Sequence, residues 1–244
     1  MKYKRILLKI SGEALKGNIE KGIVDFDYVL NLCKAISNLG ENVKIGIVVG
    51  GGNIWRGRQN TYIDSNTSDT IGIFGTSINA LILKAAFDKL GVSACFFNSF
   101  KAESLIEKIP PKEVLIKELE KNILIFGGGT GYVGCSTDTA SANMAVQMNA
   151  DAIIKLTNVD GIYNKDPNVY SDAIKYDKIT FEEAIKKNLK VMDIESIEIC
   201  QKNNIDIIVT NINTLFNLDN FMSEKNYSIL KNDWEIIFLM FNFW

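Results

Sequence analysis

The chain has 244 residues and no histidine, and this absence removes several classes of protein at once. Histidine is the commonest general base, and it is the base of the serine and cysteine hydrolase triads. The sequence therefore excludes those triads and every metal site built on histidine. Phosphoryl transfer is not excluded, because it depends mainly on positioning and on electrostatic stabilisation by lysine, arginine, backbone N–H groups and Mg²⁺.

The chain also has few prolines and a small net charge. Three prolines, with no low-complexity linker and no block of like charge, leave nothing to mark a domain boundary, so we expect one large α/β domain. A net charge of −2 argues against a dedicated nucleic-acid binder, whose affinity depends on a basic surface.

Cysteine usage and the lack of long apolar runs bear on location. The four cysteines are widely spaced with no C-x-x-C pair, which indicates reduced thiols in a cytoplasmic protein. The N-terminal apolar run is too short for a secretory signal. No stretch is expected to reach the length of a membrane span, so we expect no membrane partner.

Short apolar runs alternate with helical patterns along the chain. Helix N-caps are predicted at Asp25, Thr180 and Asp193. A long helix is predicted over residues 69–91, and an exposed mobile loop over 59–68. Such alternation is typical of a mainly parallel sheet covered by helices on both faces. The predicted strands are Arg5–Ile10, 43–49, 92–97, 123–126, Ala152–Thr157, 205–209 and 227–230.

Glycine-bearing loops follow the first, second and fourth predicted strands, at residues 11–12, 50–52 and 127–131. Ligands of parallel sheets bind at the carboxyl ends of the strands, and glycine lets a backbone approach an anion closely. With Lys9 and Arg56 beside them, these loops predict a site for several phosphates.

Two alternatives apply to the loop at 127–134. Its glycines at 129, 131 and 134 fit a dinucleotide fingerprint, but Asp151 and Asp160 match only loosely the acidic residue expected about 20 residues on. The loop could also only turn the chain. The sequence contains no GxxxxGK[ST] pattern and no H-R-D or D-F-G, so it is neither an ordinary P-loop enzyme nor a protein kinase.

Several motifs together resemble those of the bacterial-type uridylate (UMP) kinases, which belong to the amino acid kinase superfamily. They are KISGEAL from Lys9, GGGNIWRG from Gly50, GGTG from Gly128, TDTA from Thr137, KLTNVDGIY from Lys155 followed by Asp166-Pro167, and LKVMD ending at Asp193. The resemblance covers about residues 3–231.

The resemblance implies a three-layer αβα sandwich over residues 1–231, followed by an apolar extension at 232–244 that is not a separate domain. It implies a cytoplasmic homo-oligomer, usually a homohexamer. The implied reaction transfers the γ-phosphate of ATP to UMP and gives UDP, with Mg²⁺ carried by the ATP phosphates and no metal ligand assigned in the protein.

Matching positions imply the site residues. The residues implied to carry the chemistry are Lys9, Arg56, Asp138 and Asp193. The ATP side comprises Lys9, Ile10, Ser11, Gly12, Gly52 and Arg56 at the phosphates, with Thr157, Tyr163 and Asp166 at the adenosine. The UMP side comprises Gly51, Asp69, Thr130, Gly131, Tyr132, Val133, Gly134, Cys135, Ser136 and Thr137.

Each side chain also has a purely structural alternative. Lys9 could pair with Asp138 for stability alone, Arg56 could form a surface ion pair, Asp69 and Asp193 could only cap helices, and Tyr163 could be a core aromatic. Two further functions stay open: a kinase of the same fold acting on another small acid or phosphate, and a non-catalytic nucleotide-binding or storage protein.

The chain departs from the family pattern in two internal places. The UMP loop, which usually continues Gly-Asn-Pro-aromatic, is here Gly-Tyr-Val-Gly-Cys from Gly131. The long helix carries Lys84, Ala85 and Asp88 where the family places an Arg-Asp pair and a histidine associated with activation by GTP.

Overall fold

The computed structural model describes residues 2–39, 43–57, 62–103, 105–217, 221 and 226–233. Its strands are β1 (Arg5–Ile10), β2 (Lys44–Val49), β3 (Ala94–Asn98), β4 (Ile123–Gly127), β5 (Ala152–Thr157), β6 (Ile162–Tyr163), β7 (Lys175–Tyr176), β8 (Lys178–Thr180), β9 (Asp206–Asn211) and β10 (Tyr227–Lys231). Its α-helices are α1 (Phe26–Ser37), α2 (Ser65–Lys89), α3 (Lys112–Leu119), α4 (Thr137–Gln147), α5 (Phe181–Lys186) and α6 (Ile194–Lys202).

Eight of the described strands form one sheet in the order β3-β4-β2-β1-β5-β9-β10-β8. Every neighbouring pair in it is parallel except β9 and β10, which are antiparallel. Strands β6 and β7 form a separate antiparallel pair. The prediction of a mainly parallel sheet is therefore confirmed.

Helices cover both faces of the sheet. Along β1, Ile6 and Leu8 point into one core with α1 and α2, while Leu7 points into the other with α3 to α6. Because successive strand side chains alternate between faces, a strand buried on both sides is a near-continuous apolar run. The resulting three layers are the αβα sandwich that the sequence predicted.

The predicted helix caps are present. The side chains of Asp25 and Asp193 accept hydrogen bonds from the backbone N–H groups of Tyr28 and Ser196, and Thr180 forms a capping box with Glu183. These bonds satisfy N–H groups that the first turn of a helix leaves free.

Helix α2 begins earlier than predicted. The expected loop at 59–68 is wrong for residues 65–68, which are helical, and Asp64 caps the helix by accepting from Thr67 N at 3.0 Å. Asp69 therefore lies inside the second turn, so its alternative role as a cap is excluded. Ser68 is buried and accepts from Trp55 Nε1 at 2.9 Å, which explains why this polar stretch is ordered.

Some short elements carry no clear signal in the sequence. Residues 12–16 form a 3₁₀ helix in the loop after β1, and α3 is the α-helix in the described part of residues 99–121. Strands β6, β7 and β8 were not predicted, because two or three residues carry no detectable period. Residues 234–244 of the predicted apolar extension lie outside the described residues.

By length and composition alone, α2 is long and apolar enough to cross a membrane. The expectation that no stretch reaches that length was wrong for this helix. A core helix passes the same test, however, and α2 places Leu83 and Phe87 in the core against strands of the sheet.

Candidate active site

The three glycine-bearing loops meet at the carboxyl edge of the sheet, as predicted. A Cβ added to Gly12 would lie 2.5 Å from the carbonyl oxygen of Gly50 and 2.8 Å from the backbone nitrogen of Gly52. No side chain fits there, so the loops after β1 and β2 depend on glycine to pack backbone against backbone. Gly128, Gly129 and Gly131, in the loop after β4, adopt the positive φ angles that glycine tolerates best.

Two lysines on adjacent strands share one carboxylate at this edge. Lys9 of β1 lies beside Lys155 of β5 in the sheet register. Asp138, in the first turn of α4, contacts Lys9 Nζ through Oδ1 at 2.9 Å and Lys155 Nζ through Oδ2 at 3.3 Å. These three side chains, here called the Lys–Asp–Lys cluster, are 14%, 17% and 19% exposed for Lys9, Asp138 and Lys155 respectively.

The electrostatics of the cluster are unbalanced, since two ammonium groups face one carboxylate. Lys155 also donates to the backbone oxygen of Val191. Burial and the nearby charge of Lys9 lower the pKa of Lys155 below its usual value, although the attraction of Asp138 acts in the opposite direction. An anion bound near the two lysines would balance their excess positive charge and would raise the pKa of Lys155.

Arg56 forms an ion pair with Glu13, a residue that the sequence did not single out. Its Nε donates to Glu13 Oε1 at 3.0 Å and its Nη2 lies 2.9 Å from the same oxygen. The structural alternative for Arg56, a surface ion pair, is therefore present in the structure, and the contact links the loops after β1 and β2.

A cleft of about 290 Å³ lies between the loop after β2, the start of α2 and the loop after β4. Of the residues implied for the UMP side, those that line this cleft are Gly51, Asp69, Thr130, Cys135, Ser136 and Thr137. Gly131, Tyr132, Val133 and Gly134 do not line the cleft, and Tyr132 is 75% exposed.

Helix α2 anchors the glycine loop at both ends. The buried hydroxyl of Thr76 accepts from Gly128 N at 2.8 Å, while Ser99 donates to Gly128 O at 2.6 Å. At the far end, Asp69 Oδ2 accepts from Gly134 N at 2.7 Å. Since Asp69 and Thr76 are seven residues apart, they lie on one face of the helix, directly under the loop.

The hydrogen bonds of Asp193 are made at the N-termini of two helices and not with the two lysines. It caps α6 and also accepts from the hydroxyl of Ser136, the residue that caps α4. Burial raises the pKa of the Asp193 carboxyl, but hydrogen bonds from Ser136 and Ser196 outweigh it and hold this pKa below its usual value.

A second cleft, of about 560 Å³, has Lys155 in its lining. Its lining takes Thr157, Tyr163 and Asp166, the three residues implied for the adenosine side. Tyr163 donates to Asp160 Oδ1 at 2.6 Å, and this hydrogen bond, with burial, raises the pKa of Tyr163 to about 12. Tyr163 is therefore a cleft residue, not a core aromatic.

Residues 4–211 of the chain match the family described as the Amino acid kinase family. The chain belongs to this family. A uridylate kinase of Fervidobacterium nodosum is 43% identical over 211 residues, covering 86% of this chain and 89% of that protein. A uridylate kinase of Thermosipho melanesiensis is 40% identical over 230 residues, covering 93% and 98% respectively.

Solved structures of the amino acid kinase fold match over nearly the whole chain. UMP kinase from Ureaplasma parvum has a TM-score of 0.86 and 34% identity, covering 95% of this chain and 100% of that one. UMP kinase from Bacillus anthracis has a TM-score of 0.85 and 27% identity, covering 95% and 97%. The resemblance stated from the motifs and the predicted fold class are both confirmed.

Within this family fold, Lys155, Glu13 and Thr76 hold positions in the site for which the sequence predicted no role. Lys155 had a detectable signal, because it interrupts an apolar strand in the same way as Lys9 does. Glu13 and Thr76 had none, since an acidic residue after a glycine and a threonine within a helix are ordinary features. Their importance comes from contacts with residues more than 40 positions away.

Proposed function

We propose that this chain is a UMP kinase that transfers the γ-phosphate of ATP to UMP and yields ADP and UDP. The observation that carries the proposal is the position of the Lys–Asp–Lys cluster. Thr137, next to Asp138, lines the first cleft, and Lys155 lines the second. Two ligands bound in these clefts would meet beside two lysines, as phosphoryl transfer between two nucleotides requires.

The donor is assigned to the second cleft. Thr157, Tyr163 and Asp166 line it and are assigned to the adenosine of ATP. The ATP phosphates then extend toward residues 9–12, Gly52 and Arg56, where glycine N–H groups and cationic side chains are available.

The acceptor is assigned to the first cleft, where Gly51, Asp69, Thr130 and residues 135–137 line the proposed UMP site. The N-terminus of α4 begins at Thr137, so the helix dipole favours the phosphate of UMP there, while Ser136 accepts from the N–H groups of Asp138 and Thr139. Asp193 is assigned to this side, because it holds Ser136 at the start of that helix.

The chemistry needs no general base. The phosphate of UMP is already an anion at neutral pH, so the barrier is the approach of this anion to the γ-phosphate. Lys9, Lys155 and Arg56 are assigned to neutralise the charge that moves toward the leaving ADP, and donors aimed at developing charge are effective in catalysis.

We assign Mg²⁺ to the ATP phosphates. No group of three or more Asp, Glu or Cys side chains suited to a metal occurs among the residues that the structure describes. Mg²⁺ takes most of its ligands from water and phosphate oxygens in nucleotide sites, so this assignment needs no cage of protein carboxylates. When bound, the ion would neutralise phosphate charge, and the lysines and Arg56 would position the same phosphates.

We further propose a cytoplasmic homohexamer. The exposed face of α2 carries Phe74, Ile78 and Leu81, which are 53%, 44% and 42% exposed and lie at helical spacing. An apolar stripe of this kind is typical of an interface between subunits. Light scattering coupled to gel filtration would measure the mass, and a monomer would contradict this part of the proposal.

One coupled assay tests the function. ADP release from MgATP is followed with UMP, CMP, aspartate or acetylglutamate as acceptor, and UDP is identified as product. We expect turnover with UMP and little with the others. Turnover with another acceptor would favour a different kinase of the same fold, and tight ATP binding with no turnover would favour a nucleotide-binding or storage protein.

A further inference from the structure

The geometry points to Glu13 as a positioning residue that acts through Arg56. This inference rests on the proposed function, because it concerns the phosphate side of the same site. Glu13 is the residue after Gly12, so its carboxylate lies at the edge of the proposed phosphate cradle. An anionic side chain beside an anion site is unfavourable unless it has a cationic partner, and Arg56 is that partner.

The contact between the two side chains fixes the plane of the guanidinium. A single oxygen, Glu13 Oε1, lies 3.0 Å from Arg56 Nε and 2.9 Å from Arg56 Nη2. Of the five N–H donors of an arginine, this contact uses two and leaves three for phosphate oxygens. A guanidinium held on one edge loses less rotational freedom when its other edge binds a ligand.

The position of the pair explains why the orientation matters. A Cβ added to Gly52 would lie 3.9 Å from both Glu13 Cγ and Oε1, so the carboxylate stands directly over the loop after β2. Arg56 extends from the end of the same loop. The pair therefore bridges two loops that are assigned to the ATP phosphates, and Glu13 directs Arg56 across them.

The exposure of the pair separates this role from a structural one. The Arg56 and Glu13 side chains are 50% and 34% exposed. Ion pairs this exposed contribute little to stability, because water competes for both charges. A role in folding is therefore small, and substitution of Glu13 should change nucleotide handling with little change in melting temperature.

A double-mutant cycle tests the inference. Glu13→Ala, Arg56→Ala and the double variant are compared in kcat, in KM for ATP and in the dissociation constant of MgATP measured by calorimetry. We expect Glu13→Ala to lower kcat/KM for ATP at least ten-fold in the wild-type background. In the Arg56→Ala background it should change kcat/KM less than two-fold, because a residue that acts only through Arg56 has nothing left to position.

Conservative and control variants sharpen the test. Glu13→Gln keeps an oxygen that accepts both N–H groups and should recover most of the lost activity, whereas Glu13→Asp withdraws the carboxylate by one methylene and should behave like Glu13→Ala. Glu120→Ala is the matched control, since Glu120 forms a comparably exposed ion pair with Lys44 at 3.2 Å near the start of β2, away from the clefts.

Two outcomes would overturn the inference: near-normal kinetics for both Glu13→Ala and Glu13→Asp, or an equal loss on removing Glu13 with and without Arg56. The proposed function is judged separately. Absence of UDP formation by the unmodified protein contradicts the function, whereas normal UDP formation with an additive cycle contradicts only the role of Glu13.

Discussion

Replacement of Asp138 by asparagine is the most informative single perturbation of the site. The amide keeps the shape of the carboxylate but removes the charge that Lys9 and Lys155 contact at 2.9 and 3.3 Å. The Lys–Asp–Lys cluster then changes from one excess positive charge to two. Stability and ligand affinity should respond to this change in opposite directions.

The stability change can be sized from the burial of the cluster. Removing one partner of a fully buried ion pair typically costs 3–5 kcal/mol, and the 14–19% exposure of these side chains lets water offset part of it. We therefore expect Asp138→Asn to lower the free energy of unfolding by about 2–3 kcal/mol. For a chain of this size that corresponds to a fall of about 5–10 °C in melting temperature.

The kinetic effect should carry a distinctive sign. Without Asp138, both lysines are free to bind phosphate in the ground state, so the dissociation constant for ATP should fall. Catalysis should nevertheless weaken. Lysines that bind the ground state as tightly as the transition state do not lower the barrier between the two. We expect kcat to fall about 10²–10³-fold. Lys9→Ala should lower kcat by a similar factor but should not tighten ATP binding.

The assays are thermal unfolding with and without nucleotide, calorimetry with ATP, and steady-state kinetics. Asp88→Asn is the control, because Asp88 pairs with Lys84 at 2.6 Å on the exposed side of α2 and should change stability by no more than about 0.5 kcal/mol. A normal kcat for Asp138→Asn, or weaker ATP binding, would refute the reasoning.

Three further predictions follow from single contacts. Thr76→Val leaves the N–H of Gly128 without its acceptor, so it should cost about 1–3 kcal/mol in stability and raise KM for UMP, whereas Thr76→Ser should restore both. Folding lowers the pKa of Asp193, so the stability that this carboxylate contributes is complete above its unfolded pKa of about 3.9 and is lost as pH falls through the folded value. Urea titrations between about pH 3 and 7 should show this loss in the unmodified protein and not in Asp193→Asn. Millimolar GTP should raise the initial rate little or not at all, since Lys84 lacks the fork of an arginine and is neutralised by Asp88, and several-fold activation abolished by Lys84→Ala would contradict this.

Much of the fold could be predicted because its determinants are local. Parallel strands buried on both faces are continuous apolar runs, and the structure places the predicted strands within two residues of their expected ends. Asp25, Thr180 and Asp193 cap helices because the required oxygen lies within the same turn. The start of α2 was not predicted, since Asp64 and Asp69 are both suitable caps and the partly buried Trp55–Ser68 contact, which favours the earlier one, joins residues from different elements.

The contacts within the site could not be predicted in the same way. Ser136 and Asp193 are 57 residues apart, and Arg56 and Glu13 are 43 apart. Such pairs form only when the sheet order brings two loops together, and that order is not encoded in the local pattern. The motif resemblance named part of the lining of each cleft without the partners of those residues. It implied a chemical role for Asp193, and the helix pattern predicted its cap on α6, but neither indicated its hydrogen bond with Ser136 at the start of α4.

The register of β1 and β5 connects the stability of the fold to its proposed chemistry. Like charges directly opposite each other on neighbouring strands are destabilising, yet Lys9 and Lys155 are register partners in the middle of the sheet. One carboxylate from α4 compensates only half of their charge. An anionic ligand in either cleft supplies the remaining negative charge, so its binding should stabilise the protein beyond ordinary occupancy of a cleft. It follows that ATP should raise the melting temperature of Asp138→Asn more than that of the unmodified protein, because the variant lacks even the charge that Asp138 provides.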